Sequence, residues 1–174
     1  RDEFMRLIYR SAALAAATFS LLVLAACDPQ RISELKEGVS TEADVRDRFG
    51  APENVWEEPG GARTFEYNRQ PAGQVNYMIT IGPDGRMSAL RQVLTAETFA
   101  RVSPGMRMDE VRRLLGKPAK VAPYELKKET WADWRYLEAP NQSKVFTVVY
   151  GPDQFVLRTQ TGADTDAPEF KGGK

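Results

Sequence analysis

Histidine is absent from the 174-residue sequence, and cysteine occurs only once, at Cys27. The missing imidazole removes the commonest general base and the usual zinc ligand. A single cysteine excludes an intrachain disulfide. The sequence also has no Gly-rich phosphate loop and no Gly-x-Ser-x-Gly elbow. We therefore expect no enzyme activity, cofactor, metal or small-molecule substrate, and a function in binding other macromolecules.

An apolar run long enough to span a membrane is also missing. The longest one, Ser11 to Leu24, falls short of the roughly 20 residues that a spanning helix needs. Arg6 and Arg10 precede it, which is typical of a signal peptide that extends from Met5 to Ala26. Residues 1–4 precede that start and are left out of the predicted fold.

The segment Leu24-Ala25-Ala26-Cys27 resembles a bacterial lipobox, in which the cysteine becomes the lipidated N-terminus after cleavage. This reading is favoured over a buried free thiol, because an unpaired thiol is a liability in an exported protein. Residues 1–27 are thus predicted to be a signal peptide, and acylated Cys27 to bind membrane lipid. We expect an outer-membrane anchor facing the periplasm, although Asp28 leaves inner-membrane retention open.

The rest of the chain is a duplication. The segment from Gly38 to Pro52 returns as Gly105 to Pro118, and the hairpin signature before Gly82-Pro83-Asp84 returns before Gly151-Pro152-Asp153. A period of about 65 residues predicts two tandem modules. Their bounds are 28–98 and 99–160, followed by a disordered tail at 161–174.

Each module is predicted to be a short helix pair packed on an antiparallel meander of three to four strands, which gives an α+β fold. Thr41 and Asp44 predict the cap of the first motif helix, and Gly50 its end. The second motif helix is predicted at Met108 to Leu115. Strands are predicted at 53–58, 63–68, 74–81 and 87–94 in the first module, and at 132–137, 144–150 and 154–159 in the second.

The aromatic residues divide between core and surface. Trp134 and Tyr136 alternate on one strand face and are predicted to lie in the core. Trp131 lies at odd spacing from Trp134, so a continuous strand would point it to the opposite face. It is therefore a candidate contact residue. Trp56 is a second candidate whose face the pattern leaves undecided.

The two modules carry opposite net charge. Residues 28–98 contain 8 basic and 12 acidic residues, and residues 99–160 contain 11 and 7. Five basic residues cluster around the second motif helix: Arg107, Arg112, Arg113, Lys117 and Lys120. Such a patch could bind anionic lipid headgroups or an acidic partner. Attraction between the modules and a solvated face are the alternatives, and nucleic acid is not expected for an exported protein.

The pattern Gly-Met-x-x-x-x-Val-x-x-Leu-Leu-Gly-x-Pro at Gly105 to Pro118, followed by Trp134-x-Tyr136, resembles the SmpA/OmlA (BamE-like) outer-membrane lipoprotein family. The lipobox at Cys27 strengthens the resemblance. It implies a lipoprotein that acts as a non-catalytic scaffold or stabilising subunit, with the barrel-assembly machine subunits as partners. That machine folds and inserts β-barrel proteins into the outer membrane.

The family has one such module, whereas this chain has two. The tandem arrangement is similar to the β-lactamase inhibitor protein, which is built from two related helix-plus-sheet modules and binds an enzyme. The alternative function is therefore an envelope binding module that inhibits or sequesters a secreted enzyme.

Overall fold

A computed structural model of the protein describes residues 32–167. They form two four-stranded antiparallel sheets, in each of which the strands pair in sequence order. The elements are α1 (Glu42–Phe49), β1 (Asn54–Glu57), β2 (Arg63–Asn68), β3 (Asn76–Ile81), β4 (Met87–Gln92), α2 (Ala96–Phe99), α3 (Met108–Leu115), β5 (Lys120–Tyr124), β6 (Glu129–Glu138), β7 (Gln142–Tyr150) and β8 (Val156–Ala163). The predicted α+β class with two tandem modules is confirmed. The predicted signal peptide with Cys27, the predicted start of the first module at 28–31, and residues 168–174 lie outside the described residues.

Both motif helices begin where the sequence predicts, and α1 has the predicted cap. In α1 the Asp44 amide donates to Thr41 Oγ1 at 3.3 Å, while the Thr41 amide donates to Asp44 Oδ2 at 2.8 Å. This reciprocal pair is a capping box, which satisfies two amides that the helix itself cannot. In α3 the carboxylate of Glu110 accepts from the Arg107 amide at 2.7 Å. The first copy of the motif has one residue more between its glycine and its valine (Gly38 to Val45) than the second (Gly105 to Val111), and both helix starts are nevertheless capped.

Each module has its own apolar core. In the first module α1 packs on one face of sheet β1–β4, and the core residues are Val45, Phe49, Phe65, Tyr67, Ile79, Ile81 and Met87. In the second module α2 and α3 pack on sheet β5–β8, around Phe99, Val111, Leu115, Trp134, Tyr136, Phe146 and Val148. Trp134 and Tyr136 are buried as predicted.

Helix α3 also contacts the first module. Met78 lies on the face of β3 opposite Ile79 and belongs to the second module's core cluster. Asn76, on the same face as Met78, is fully buried and hydrogen-bonded to the end of α3. One sheet therefore has α1 on its front and α3 on its back, and α3 is shared between the two sheets.

All four strands of the second sheet differ from the sequence prediction, β7 only in that it begins at Gln142 rather than Lys144. Strand β5 was not predicted, because it has no apolar alternation and contains Pro123, a residue confined to edge strands. Strand β6 begins at Glu129 rather than Ala132. Strand β8 begins at Val156 and continues to Ala163, four residues past the predicted end.

The prediction of a tail from Thr161 is wrong for residues 161–167. Residues 161–163 belong to β8, and Asp164 is 2% exposed and accepts from Arg135 Nε at 2.6 Å. Ala167 is also buried. The polar composition concealed this segment, since an edge strand held by backbone bonds needs no apolar pattern.

Candidate binding surfaces

The contact between α3 and the back of the first sheet, here called the seam, is centred on a buried carboxylate. Glu66 is 0% exposed. Arg112 Nη2 donates to Glu66 Oε1 at 3.0 Å, and Trp56 Nε1 donates to Glu66 Oε2 at 3.2 Å. Asn68 Nδ2 donates to Glu66 Oε1 at 2.7 Å. The buried charge is therefore paired and hydrogen-bonded, which is the condition under which burial is tolerated.

Two asparagines hold the C-terminal end of α3 in the seam. Asn76 Nδ2 donates to the Leu115 carbonyl at 2.8 Å and to the Lys117 carbonyl at 3.0 Å. Asn68 Oδ1 accepts from the Lys117 amide at 2.9 Å. The bond to Leu115 satisfies a carbonyl that the helix end leaves unpaired, and the other two hold the backbone of Lys117 just beyond it.

Basic residues of the second module complete the seam. Lys117 Nζ lies 2.9 Å from Glu53 Oε1. Desolvation by itself would raise the pKa of Glu53, but hydrogen bonds from Lys117 and Asn68 hold that pKa below its usual value. The Arg113 guanidinium lies over the Trp56 ring at 4.8 Å, a cation–π contact. This geometry supports attraction between the modules, one of the alternatives left open by the sequence.

A groove of about 440 Å³ opens at the edge of the seam, lined by Asn54, Trp56, Arg107, Met108, Asp109, Arg112, Asp153 and Gln154. Arg107 Nε donates to Asp109 Oδ1 at 3.1 Å and holds the pKa of Asp109 below its usual value. The groove mixes both signs of charge. Residues 32–167 contain no group of three or more potential metal-ligating side chains. Within the same range, no helix has the length and apolar character needed to cross a membrane.

Trp131 lies on the opposite face of β6 from buried Trp134, as its odd spacing predicted. Tyr124 packs beside it, with ring centroids 4.7 Å apart. Lys127 Nζ lies 5.6 Å and the Arg158 guanidinium 5.8 Å from the centre of the indole ring. We call this group the Trp131 platform: Tyr124, Leu126, Lys127, Glu129, Trp131 and Arg158.

Glu129 orders the Trp131 platform. Its carboxylate accepts from Arg158 Nη1 at 2.8 Å and from Trp131 Nε1 at 2.9 Å. These hydrogen bonds, that of Arg158 first, lower the pKa of Glu129 to about 2. The turn above the platform carries Leu126, which is fully exposed.

The structure divides the predicted site residues between two places. Trp56, Arg112, Arg113 and Lys117 lie in the seam, and Arg107 lies at its groove. Trp131 lies on the outer face of the second sheet. Lys120 lies on that face too, opposite Asp133 on β6 and away from the seam.

Sequence reasoning missed Glu66, Tyr124 and Leu126. The signal for Glu66 was a charged residue between two core aromatics, Phe65 and Tyr67, on a strand. Such a residue points away from its own core and needs a partner there. Tyr124 and Leu126 carried no such signal, because β5 was not recognised as a strand.

No protein-family model and no curated protein matches the chain. One similar solved structure is a DUF4309 family protein, YjgB, from Bacillus subtilis subsp. subtilis str. 168. The two sequences are 23% identical, the alignment covers 75% of this chain and 82% of the YjgB chain, and the TM-score is 0.29. Another is a candidate β-lactamase inhibitor protein from Streptococcus mutans, with 11% identity, 71% and 82% coverage, and a TM-score of 0.32.

Proposed function

We propose that the protein is a lipid-anchored periplasmic scaffold subunit that supports assembly and insertion of β-barrel proteins into the outer membrane. The lipobox at Cys27 supports the tether, and the motif at Gly105 to Pro118 supports the SmpA/OmlA-like role. The observation that carries the proposal is the seam, because it joins two modules into one body without using the outer face of the second sheet.

In this proposal the Trp131 platform makes the contact with the assembly machine. Its tryptophan, tyrosine and arginine are residue types enriched at protein interfaces, and Leu126 is fully exposed in the turn above them. The cations Arg112 and Lys117 are held in the seam between the two modules, so they are poorer contact candidates.

A second candidate is the envelope inhibitor of a secreted enzyme. It is favoured by one specific feature, the fully exposed Leu126 at the tip of the β5–β6 turn. A projecting apolar side chain of this kind can enter a cleft on a partner. The two candidates differ in the partner that they require.

Affinity purification of the tagged full-length protein from gently solubilised envelopes, at two salt concentrations, tests the proposal. Near-stoichiometric recovery of barrel-assembly subunits is expected. We expect Leu126→Ser to reduce that recovery, while Val39→Ser, at an apolar position of the first module that is also exposed (62% against 103% for Leu126), leaves it unchanged. Recovery of one unrelated enzyme would support the inhibitor, and recovery of neither would contradict both candidates.

A further inference from the structure

Strand β8 leaves one edge of the second sheet without a backbone partner among residues 32–167. The Asp164 amide donates inward, to the Ser143 carbonyl on β7, at 3.1 Å. Because backbone groups alternate in direction along a strand, the amides of Thr159, Thr161 and Ala163 point outward. Residues 157–163 are all exposed. An edge of this length is a template for pairing with another strand.

The duplication supplies an internal comparison. Leu90 on β4 corresponds to Thr159 on β8, because Ile79 and Val148 are their partners in the matching registers. The outward amide of Leu90 donates to Glu37 Oε1 at 2.9 Å, so the first module's edge is capped by a side chain. The position of Glu37, directly before Gly38, is occupied in the second module by Pro104, before Gly105.

Proline has no acceptor on its side chain, so the second module has lost this cap. The remaining backbone contacts of the edge are kept in both modules. Gly38 donates to the Met87 carbonyl at 2.7 Å, and Gly105 donates to the Val156 carbonyl at 2.8 Å. The difference is therefore confined to the part of the edge beyond Val156, where β8 is also two residues longer than β4.

We infer that β8 pairs antiparallel with β8 of a second copy of this chain, about a two-fold axis at Thr161, to form one continuous sheet. In this register Thr159 faces the partner's Ala163, and all three outward amides find acceptors.

Charge favours the same register. The segment from Val156 to Asp164 has two charged residues, Arg158 and Asp164. A two-fold axis at Thr161 places Arg158 of one copy opposite Asp164 of the other. Opposite charges on directly paired residues stabilise a sheet, and like charges destabilise it. In this register no like charges face each other. Each of the two residues already has a partner in its own chain, Glu129 or Arg135, so the pairing joins existing ion pairs.

Cysteine crosslinking of the full-length protein tests the pairing and its register. In Thr161→Cys the two new thiols belong to directly opposed residues, with Cα atoms about 5.5 Å apart, which a disulfide can span. In the matched variant Gln160→Cys the two cysteines are diagonal, about 7–8 Å apart, which is too far. The unsubstituted chain, with Cys27 alone, sets the background.

A disulfide-linked dimer from Thr161→Cys well above the yield from Gln160→Cys is expected. Equal yields from the two variants, or a higher yield from Gln160→Cys, would overturn the inference. Sedimentation equilibrium gives a second measurement that does not depend on a new thiol.

Pro104→Glu restores the acceptor that caps the first module, and Pro104→Ala is its matched control without an acceptor. We expect Pro104→Glu to weaken self-association about tenfold relative to Pro104→Ala, because the Thr159 amide is then already bonded. Equal dissociation constants for the two variants, or a monomer at all concentrations of the unsubstituted protein, would overturn the inference.

Discussion

Gly116 ends α3 inside the seam, in a backbone conformation that only glycine adopts readily. Its φ is 74° and its ψ −167°. A Cβ atom there would lie 2.5 Å from Asn68 Oδ1 and 3.0 Å from Asn76 Nδ2. Gly50 ends α1 with nearly the same angles, but a Cβ there would meet nothing within 4 Å. A comparison of substitutions at Gly116 and Gly50 therefore distinguishes the cost of backbone strain, which both share, from the cost of crowding in the seam, which only Gly116 has.

We therefore predict that Gly116→Ala lowers the free energy of unfolding more than Gly50→Ala does. Backbone strain should cost about 1–3 kcal/mol in both variants. Crowding of the two asparagines should add about 1–3 kcal/mol in Gly116→Ala alone. Urea denaturation measures the difference, and equal losses in the two variants would contradict the account of the seam.

Arg112 is the partner of a fully buried carboxylate, and Arg107 is a matched arginine on the surface. Removal of one partner from a buried ion pair is far more destabilising than removal from an exposed one. Arg112→Met should lower the free energy of unfolding by about 3 kcal/mol. Arg107→Met should change it by about 0.5 kcal/mol or less, since its pair with Asp109 is exposed. Denaturation of the two variants side by side checks this, and losses of similar size would mean that Glu66 does not depend on Arg112.

At the scale of elements, the start of β6 is tied to β8 by an ion pair whose strength depends on pH. The folded-state pKa of Glu129 is about 2, below its usual value of 4.5. A lowered folded pKa means that the stabilisation is present in full above about pH 4.5 and is lost as the pH falls towards 2. Glu129→Gln removes the charge and with it this pH dependence.

We predict that the urea midpoints of the unsubstituted protein and Glu129→Gln differ by a constant amount above about pH 4.5 and converge as the pH approaches 2. The environment of Trp131, whose indole N–H donates to Glu129, should change over the same range. A midpoint difference that does not change between pH 5 and pH 2 would contradict the assigned pKa.

The elements that the sequence predicts well are those whose cause is local. The capping residues Thr41 and Asp44 predict the start of α1, and the alternation of Phe65 and Tyr67 predicts β2 and its buried face. Strand β5 and the end of β8 escaped prediction, since edge strands with exposed side chains are defined by backbone pairing rather than by an apolar pattern.

Of the two candidate surfaces, the face on which Trp131 lies could be predicted from the sequence, but the residues of the seam could not. The position of Trp131 on the face of its strand opposite Trp134 follows from strand periodicity. Arg112 and Lys117 lie in the seam because they bind Glu66, Asn68 and Asn76. These three residues are distant from α3 in sequence and become its neighbours only when α3 packs on the first sheet. Opposite module charges left attraction between the modules open as one alternative, without identifying its residues.

At the scale of the whole molecule, the proposed role requires a tether to the membrane. If Cys27 is acylated, Cys27→Ala should move the protein from the membrane fraction to the soluble fraction, because the acyl chains supply the anchor. Fractionation of cells that express each form measures this. A variant that still sediments with membranes would show that another part of the chain holds it there.

The central claim is that the two modules form one body, joined through α3 by the seam and by Met78 in the second core. Calorimetry of the full-length protein in detergent tests it most directly. The account predicts a single transition in which the calorimetric and van't Hoff enthalpies agree. Arg112→Met should lower the temperature of that transition as a whole. Two resolved transitions in the unsubstituted protein, one for each module, would contradict the claim.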